Sequence, residues 1–242
     1  MAETALIVGA GSGLSASLAR LFAGEGMRVA LAARNTGKLA SLAKETAALP
    51  IACEATSLEQ VEAMFAAAEA KWGVPDLVVY NAGYRVRGPL VSLDAKEVER
   101  TIMVSAFGGF LVGQAAARRM LARASGSAAP DAAQQSGAIF FTGASASVKG
   151  YAESAPFAMG KFALRGLAQS MARELAPKGI HVAHFVIDGG IAQGPGDARA
   201  KERGVDGMLL PDEIARNYLH VYRQHRSAWT WEVELRPWVE RF

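Results

Sequence analysis

Residues 4–24, TALIVGAGSGLSASLARLFAG, constrain the fold more than any other stretch of the chain. An apolar run ends at Gly9, Gly11 and Gly13 and passes directly into a segment with helical periodicity. A strand that turns this tightly into a helix needs a parallel partner strand to receive the chain again. The same grammar recurs downstream. RVALAAR (28–34), PIACEA (50–55), DLVVYNA (76–82), GAIFFTG (137–143) and IHVAHFVI (180–187) read as strands buried on both faces. Amphipathic segments of helical length separate them, such as SLEQVEAMFAAAEAKWG, which Ser57 opens as N-cap. The pattern predicts an α/β fold, a doubly wound parallel sheet with helices on both faces.

The chain has 242 residues, which one α/β core can absorb, and no repeat or linker divides it, so a single domain over 1–242 is expected. RASGSAAPDAAQQSG (123–137) reads as a low-complexity surface loop, and the Gly-rich segment at about 188–210 as a loop over the carboxyl edge of the sheet, suited to substrate. A net charge of +3 arises from mixed charges with no basic block, which argues against a nucleic-acid partner. The one cysteine, Cys53, closes an apolar run and reads as a small buried thiol. No internal disulfide is possible, and no run is long enough to cross a membrane. Together with the absence of a charged leader before ALIVGA, this leads us to expect a cytoplasmic protein.

Glycines at 9, 11 and 13 would serve any tight turn, but between a strand and a helix they leave backbone amides open to a pyrophosphate. The expected dinucleotide loop comprises Gly9, Gly11, Ser12, Gly13 and Leu14, with Ser15 where a third glycine would pack the helix closely, so a slightly looser helix is expected. After the second strand, where an acid would accept from a ribose 2′-hydroxyl, the chain has Ala33, Arg34 and Asn35. A guanidinium grips a 2′-phosphate that a carboxylate would repel, so NADP(H) is expected over NAD(H); a solvated surface arginine is the plainer alternative. Glu54, followed by Ala55, either accepts from the adenine amino group or is an exposed loop carboxylate.

GAGSGLS, YNAG (80–83), FFTGASAS (141–147 with its flank) and FxxxK followed by FALRGLAQSMARELAPKGIHV occur in one order. Together they resemble the short-chain dehydrogenase/reductase family from about Ala5 to Ile187. The resemblance implies a Rossmann-like fold, a nicotinamide-dependent oxidoreductase, and cofactor contacts from Asn81, Ala82, Gly83 and Lys161. In it, Lys161 bonds the nicotinamide ribose. Asp188 and Gly189 fall about where the family carries Pro-Gly, and either one meets the carboxamide; Ile191 follows in the same stretch.

The chain also departs from the pattern. The family's proton-donating tyrosine falls at Phe157, its carbonyl-polarising serine at Ala144, and its relay asparagine at Ser105. Phenyl and methyl groups cannot donate a proton, so another hydroxyl is needed if turnover requires one. Tyr151, Ser145 and Ser147 follow the fifth strand; Tyr151 and Ser145 with Lys161 form the expected catalytic set. Reduction of a C=C or C=N bond, where substrate or solvent supplies the proton, is the other route. Two functions stand side by side: an oxidoreductase with a rebuilt site for a small carbonyl, alcohol, enone or imine, and a catalytically silent NADP(H)-binding sensor or partner. Tyr84, Arg85 and Arg87 either line the substrate pocket and favour an anion or are exposed loop charges.

The histidines suggest no metal site. His181 and His184 lie three apart on one strand, on opposite faces, and His220 and His225 read as one helix. Gly/Ala-rich faces in SAFGGFLVGQAAARRM and FAMGKFALRGLAQSMA pack either on the sheet or, as the resemblance implies, on a second copy. The alternation at 229–235 suits a last edge strand, and a homodimer or homotetramer is expected.

Overall fold

The computed structural model describes residues 2–125, 136–194 and 197–240. Seven parallel strands form one sheet in the order β3-β2-β1-β4-β5-β6-β9. They are β1 (Thr4–Val8), β2 (Arg28–Ala33), β3 (Leu49–Ala52), β4 (Leu77–Tyr80), β5 (Gly137–Thr142), β6 (Ile180–Ile187) and β9 (Glu232–Leu235). The intervening helices are α1 (Leu14–Gly24), α2 (Ala40–Thr46), α3 (Leu58–Trp72), α4 (Ala95–Ile102), α5 (Gly108–Ser125) and α6 (Ala155–Leu175). Between β6 and β9 come β7 (Gly190–Ile191), α7 (Ala198–Arg203), β8 (Met208–Leu209) and α8 (Pro211–Tyr222).

Side-chain alternation along each strand divides the core in two. Ala5, Ile7, Leu77, Val79, Phe140 and Phe185 meet Leu18 and Phe22 of α1 and Ile214 and Tyr218 of α8. Leu6, Val8, Val78, Tyr80, Ile139 and Phe141 meet Met64 and Phe65 of α3, Val112 of α5 and Leu164 of α6. The sheet is therefore doubly wound and Rossmann-like, as the sequence pattern implies. At roughly 1.5–3 kcal/mol for each fully buried large side chain, these two cores hold the strand ends rigidly in place.

The strand runs overshoot at their carboxyl ends because the residues past the last ladder bond are the turns that build the cleft described below. β1 stops at Val8, where Gly9 adopts a φ of 83°, and β4 stops at Tyr80. Ser57 caps α3, accepting from the Gln60 amide at 3.3 Å, as predicted.

The segment at 188–210 is not a plain loop: β7 and β8 pair in parallel around α7. His225 lies outside α8 and accepts from the Ser227 amide, capping the short turn Arg226–Ala228. Of the expected loop 123–137, residues 126–135 lie outside the described residues, while its flanks end α5 and begin β5. Ser15 does not loosen α1; it is buried and bonded. The glycines of α5 face inward: a Cβ on Gly109 would lie 2.5 Å from Leu164, and one on Gly113 3.1 Å from Phe141. What α5 and α6 present outward is larger, namely Phe107, Phe110, Met159 and Phe162, with Phe107 just ahead of α5.

Candidate active site

The strand order reverses between β1 and β4, and the carboxyl ends of these strands diverge into a crevice, the place where ligands bind open parallel sheets. A cleft of about 670 Å³ opens there. Gly9, Gly11, Ser12, Arg34, Asn35, Glu54, Ala55, Asn81, Ala82 and Gly83 all line it. Local chemistry explains the convergence. A Cβ on Gly9 would lie 2.4 Å from the Ala82 backbone, so only glycine lets the two turns meet. Gly11 and Gly13 have no neighbouring atom within 4 Å of a Cβ position, and Gly13 caps α1 without any side-chain cap. The amides of the first turn are thereby open to an anion.

Asn81 donates to Ser15 Oγ at 2.7 Å, and Ser15 donates to the Gly9 carbonyl at 3.1 Å. At the far end, Asn35 accepts from the Gly37 amide at 3.0 Å and opens a turn that carries Lys38 back to the lining. Lys38 was not anticipated; the signal was the Asn-capped RNTGK turn. Arg34 faces Glu54 at 3.9 Å across an exposed surface, a contact worth little. Cys53 also lines the cleft, but burial, with Glu54 adding to it, pushes its thiol up to about 11, so it stays protonated.

Lys161 is buried, and its ammonium donates to the Thr142 carbonyl at 2.8 Å. It sits 3.8 Å from where a Cβ on Gly83 would be, behind that residue of the cleft wall and outside the lining itself. Burial draws its pKa down to about 8. The Phe157 ring lies one turn earlier, with the Lys161 nitrogen 5.8 Å and the Arg85 guanidinium 5.2 Å from its centroid. Ser105 is buried in a π-helical turn, Met103–Phe107, and its hydroxyl has no hydrogen-bond partner among the described residues.

Past β5, Ser145 lies beside the Asp188 carboxylate, and Lys149 donates to that carboxylate at 2.8 Å. Burial raises the Asp188 carboxyl, but the bond and charge of Lys149, with Ser145 and Arg236 adding to them, outweigh it and hold the group below the usual carboxylate range. Tyr151 is 49 % exposed, and the ammonium it interacts with is that of Lys149, not Lys161. Gly189 packs on Pro237 and Ile191 on the core; like Gly13 and Leu14, they lie outside the lining of the cleft.

A Ser–His–acid series also occurs here. Ser147 Oγ is 3.3 Å from His184 Nε2, and His184 Nδ1 is 3.1 Å from Glu232, which Arg165 grips bidentately. A carboxylate only accepts, so Nδ1 carries the proton and Nε2 accepts from Ser147. Burial pulls the imidazole down to about 4, against the pull of Glu232, which leaves it neutral at pH 7. Ser147 and His184 are both 0 % exposed, so no substrate reaches them. The series pins the 144–147 turn to β6 and β9.

A second hollow, between Glu3, Asp76, Arg123 and Arg223, opens at the amino ends of the strands. Its charges neutralise one another through Arg123–Asp76 and Arg223–Glu3. Among the described residues no group of three or more His, Cys, Asp or Glu is arranged to hold a metal, and no helix is long and apolar enough to cross a membrane.

A parallel doubly wound sheet with a glycine-walled cleft at its reversal point defines a Rossmann-like α/β protein. Residues 3–194 match the family described as short chain dehydrogenase, and the chain belongs to that oxidoreductase family. Over 242 residues it is 30% identical to (+)-borneol dehydrogenase 1 of Salvia officinalis, covering 93% of this chain and 88% of that one. A short-chain dehydrogenase from Rhodopseudomonas palustris superposes with a TM-score of 0.79 at 34% identity, covering 98% of this chain and 99% of the other. A metagenomic short-chain oxidoreductase in complex with NADP gives a TM-score of 0.81 at 26% identity, with 98% of each chain covered.

Proposed function

We propose that the protein is an NADP(H)-dependent short-chain oxidoreductase with an atypical proton-handling site, acting on a small carbonyl, alcohol, enone or imine. The observation that carries this reading is the cleft itself. Its glycine walls end in Arg34 and Lys38, where an NAD-specific site would carry an acid for the ribose 2′-hydroxyl. The residues fit the cofactor. Open space at Gly11 and Gly13 admits a pyrophosphate, two cations face a 2′-phosphate, and Asn81 to Gly83 wall the adenosine side. The NADP complex of the metagenomic relative supports the choice. When bound, the nicotinamide supplies two-electron redox chemistry. Lys161, with donors left beyond its bond to Thr142, would orient the ribose hydroxyls.

In this reading Phe157, Ala144 and Ser105 occupy the places of the family's tyrosine, serine and asparagine, and no proton is exchanged there. Ser145 and Tyr151, the hydroxyls beside Asp188 and Lys149, take over polarisation and proton supply. A silent cofactor-binding sensor is the second reading, and the unpartnered Ser105 hydroxyl favours it, because a working relay would use that position. Titration of the protein with NADPH and NADH, followed by cofactor fluorescence, tests the assignment. NADPH is expected to bind at least about tenfold tighter than NADH, a gap of about 1.4 kcal/mol. Arg34→Ala should close that gap, and Lys161→Ala should weaken both cofactors. No binding of either at millimolar concentration would overturn the reading.

A further inference from the structure

The loop after β4 brings Arg85 onto the face of Phe157, with the guanidinium carbon 5.2 Å from the ring centroid. Lys161 approaches the same ring at 5.8 Å. Arg87 lies close enough to Arg85 for the two like charges to repel. Among the described residues no carboxylate forms an ion pair with either arginine. Glu97 is engaged with Tyr84 and Arg100, and the exposed Glu153, whose carbonyl meets this loop, forms no ion pair with either arginine. The Gly88 amide, bonded to the Glu153 carbonyl at 3.0 Å, ties this loop to the segment that leads into α6.

We propose that Arg85 and Arg87 form an anion subsite, and that the substrate carries a carboxylate or phosphate group that lies on Arg85 beside Phe157. This rests on the oxidoreductase reading for the word substrate, but not for the subsite. Arg85 and Lys161 bring two cations to one ring with no carboxylate among the described residues paired to Arg85, an arrangement that a bound anion relieves. A ring under the guanidinium fixes its plane by cation–π contact and leaves its N–H edge for a planar, bidentate acceptor. Arg85 and Arg87 are both exposed, so an anion from solvent can reach them. Phe157 then has a function of its own. It is the platform for the arginine, and a phenol there would add a hydroxyl that competes for the guanidinium.

The test compares short-chain oxo acids with the methyl esters of the same acids, and with inorganic phosphate, binding to NADPH-saturated protein by calorimetry. At least one acid should bind about tenfold or more tighter than its ester, the range of a charge-assisted hydrogen bond. Arg85→Gln should abolish the preference with NADPH affinity unchanged, and Arg85→Lys should restore it only in part, because an ammonium lacks the fork. Arg87→Gln should weaken it less. Phosphate binding tighter than every acid, and lost in Arg85→Gln, would support the subsite and assign it to phosphate esters. Equal binding of acids and esters, with phosphate unbound, would overturn the proposal. Failure of NADPH to bind would overturn the cofactor reading alone, since the acid–ester comparison is also read by melting shifts without cofactor.

Discussion

The Asn81 amide donates to Ser15 Oγ at 2.7 Å, so one hydrogen bond joins the end of β4 to the first turn of α1 across the reversal point of the sheet. Ser15 in turn donates to the Gly9 carbonyl at 3.1 Å, so its buried hydroxyl is satisfied within the protein. Ser15→Ala leaves Asn81 only a 3.5 Å contact with Gly9. We expect a loss of about 1–2 kcal/mol, a fall in Tm of roughly 2–8 °C, and weaker NADPH binding. An unchanged melting curve would mean that the bond is replaced by water.

Gly9→Ala should be harsher. The new methyl group would lie 2.4 Å from the Ala82 backbone, at a φ of 83° that L side chains rarely adopt. The turn must open, and cofactor affinity should fall below detection, with destabilisation of more than about 1 kcal/mol. Gly11→Ala, whose methyl meets open space, should fold normally and lose affinity only through contact with the pyrophosphate. Melting curves and NADPH titration of the pair separate the two effects.

The sheet was legible because buried parallel strands are continuous apolar runs, and the cleft because glycines at 9, 11 and 13 follow one of them. Periodicity does not report what happens past a strand end, so the runs overshot into turns that belong to the cleft. Nor does it report partners distant in sequence. Arg85 on Phe157, Lys149 with Asp188, and His184 between Ser147 and Glu232 join residues 72, 39, 37 and 48 positions apart. Ser15 was misjudged for the same reason, its partner being Asn81. Lys38 was visible in RNTGK, but only the Asn35 cap shows which way that turn runs.

Lys161 should make the protein less stable than it need be. Its pKa falls from 10.5 to about 8 in the fold, so the charged form is disfavoured by roughly 3 kcal/mol. Below about pH 8 folded and unfolded chains both carry the proton and the penalty is complete. Between about 8 and 10.5 the unfolded chain binds more protons, so stability rises with pH and the penalty disappears. Lys161→Met should therefore match or exceed the parent in Tm at pH 7, its gain offset in part by the lost bond to Thr142, while binding NADPH at least about tenfold more weakly. Its advantage should shrink as pH is raised through that window. An advantage independent of pH would place the lysine's proton elsewhere.

Phe107 stacks on Phe110 at 6.2 Å, and both are exposed alongside Met159 and Phe162 of the neighbouring α6. Four large apolar side chains on the outside of two packed helices suit a helix-on-helix contact with a second copy. Light scattering should give a dimer or tetramer, and Phe110→Glu with Phe162→Glu should give a folded monomer. A parent protein of monomer mass would leave that face without this partner.

The two candidate hydroxyls differ in their surroundings, and this makes their roles separable. Ser145 lies beside Asp188, whose carboxylate Lys149 keeps ionised, so its hydroxyl is oriented and can turn its proton to a substrate carbonyl. Tyr151, 49 % exposed and beside the Lys149 ammonium, can exchange its proton with solvent. Once a substrate is found, Tyr151→Phe should lower kcat by about 10²–10⁴ with little change in KM, the loss of a general acid. Ser145→Ala should lower kcat less and raise KM, because it removes an orienting contact made in the bound state as well. Unchanged turnover in Tyr151→Phe would remove the phenol from the reaction and pass the proton to the substrate or to water, as reduction of a C=C or C=N bond allows.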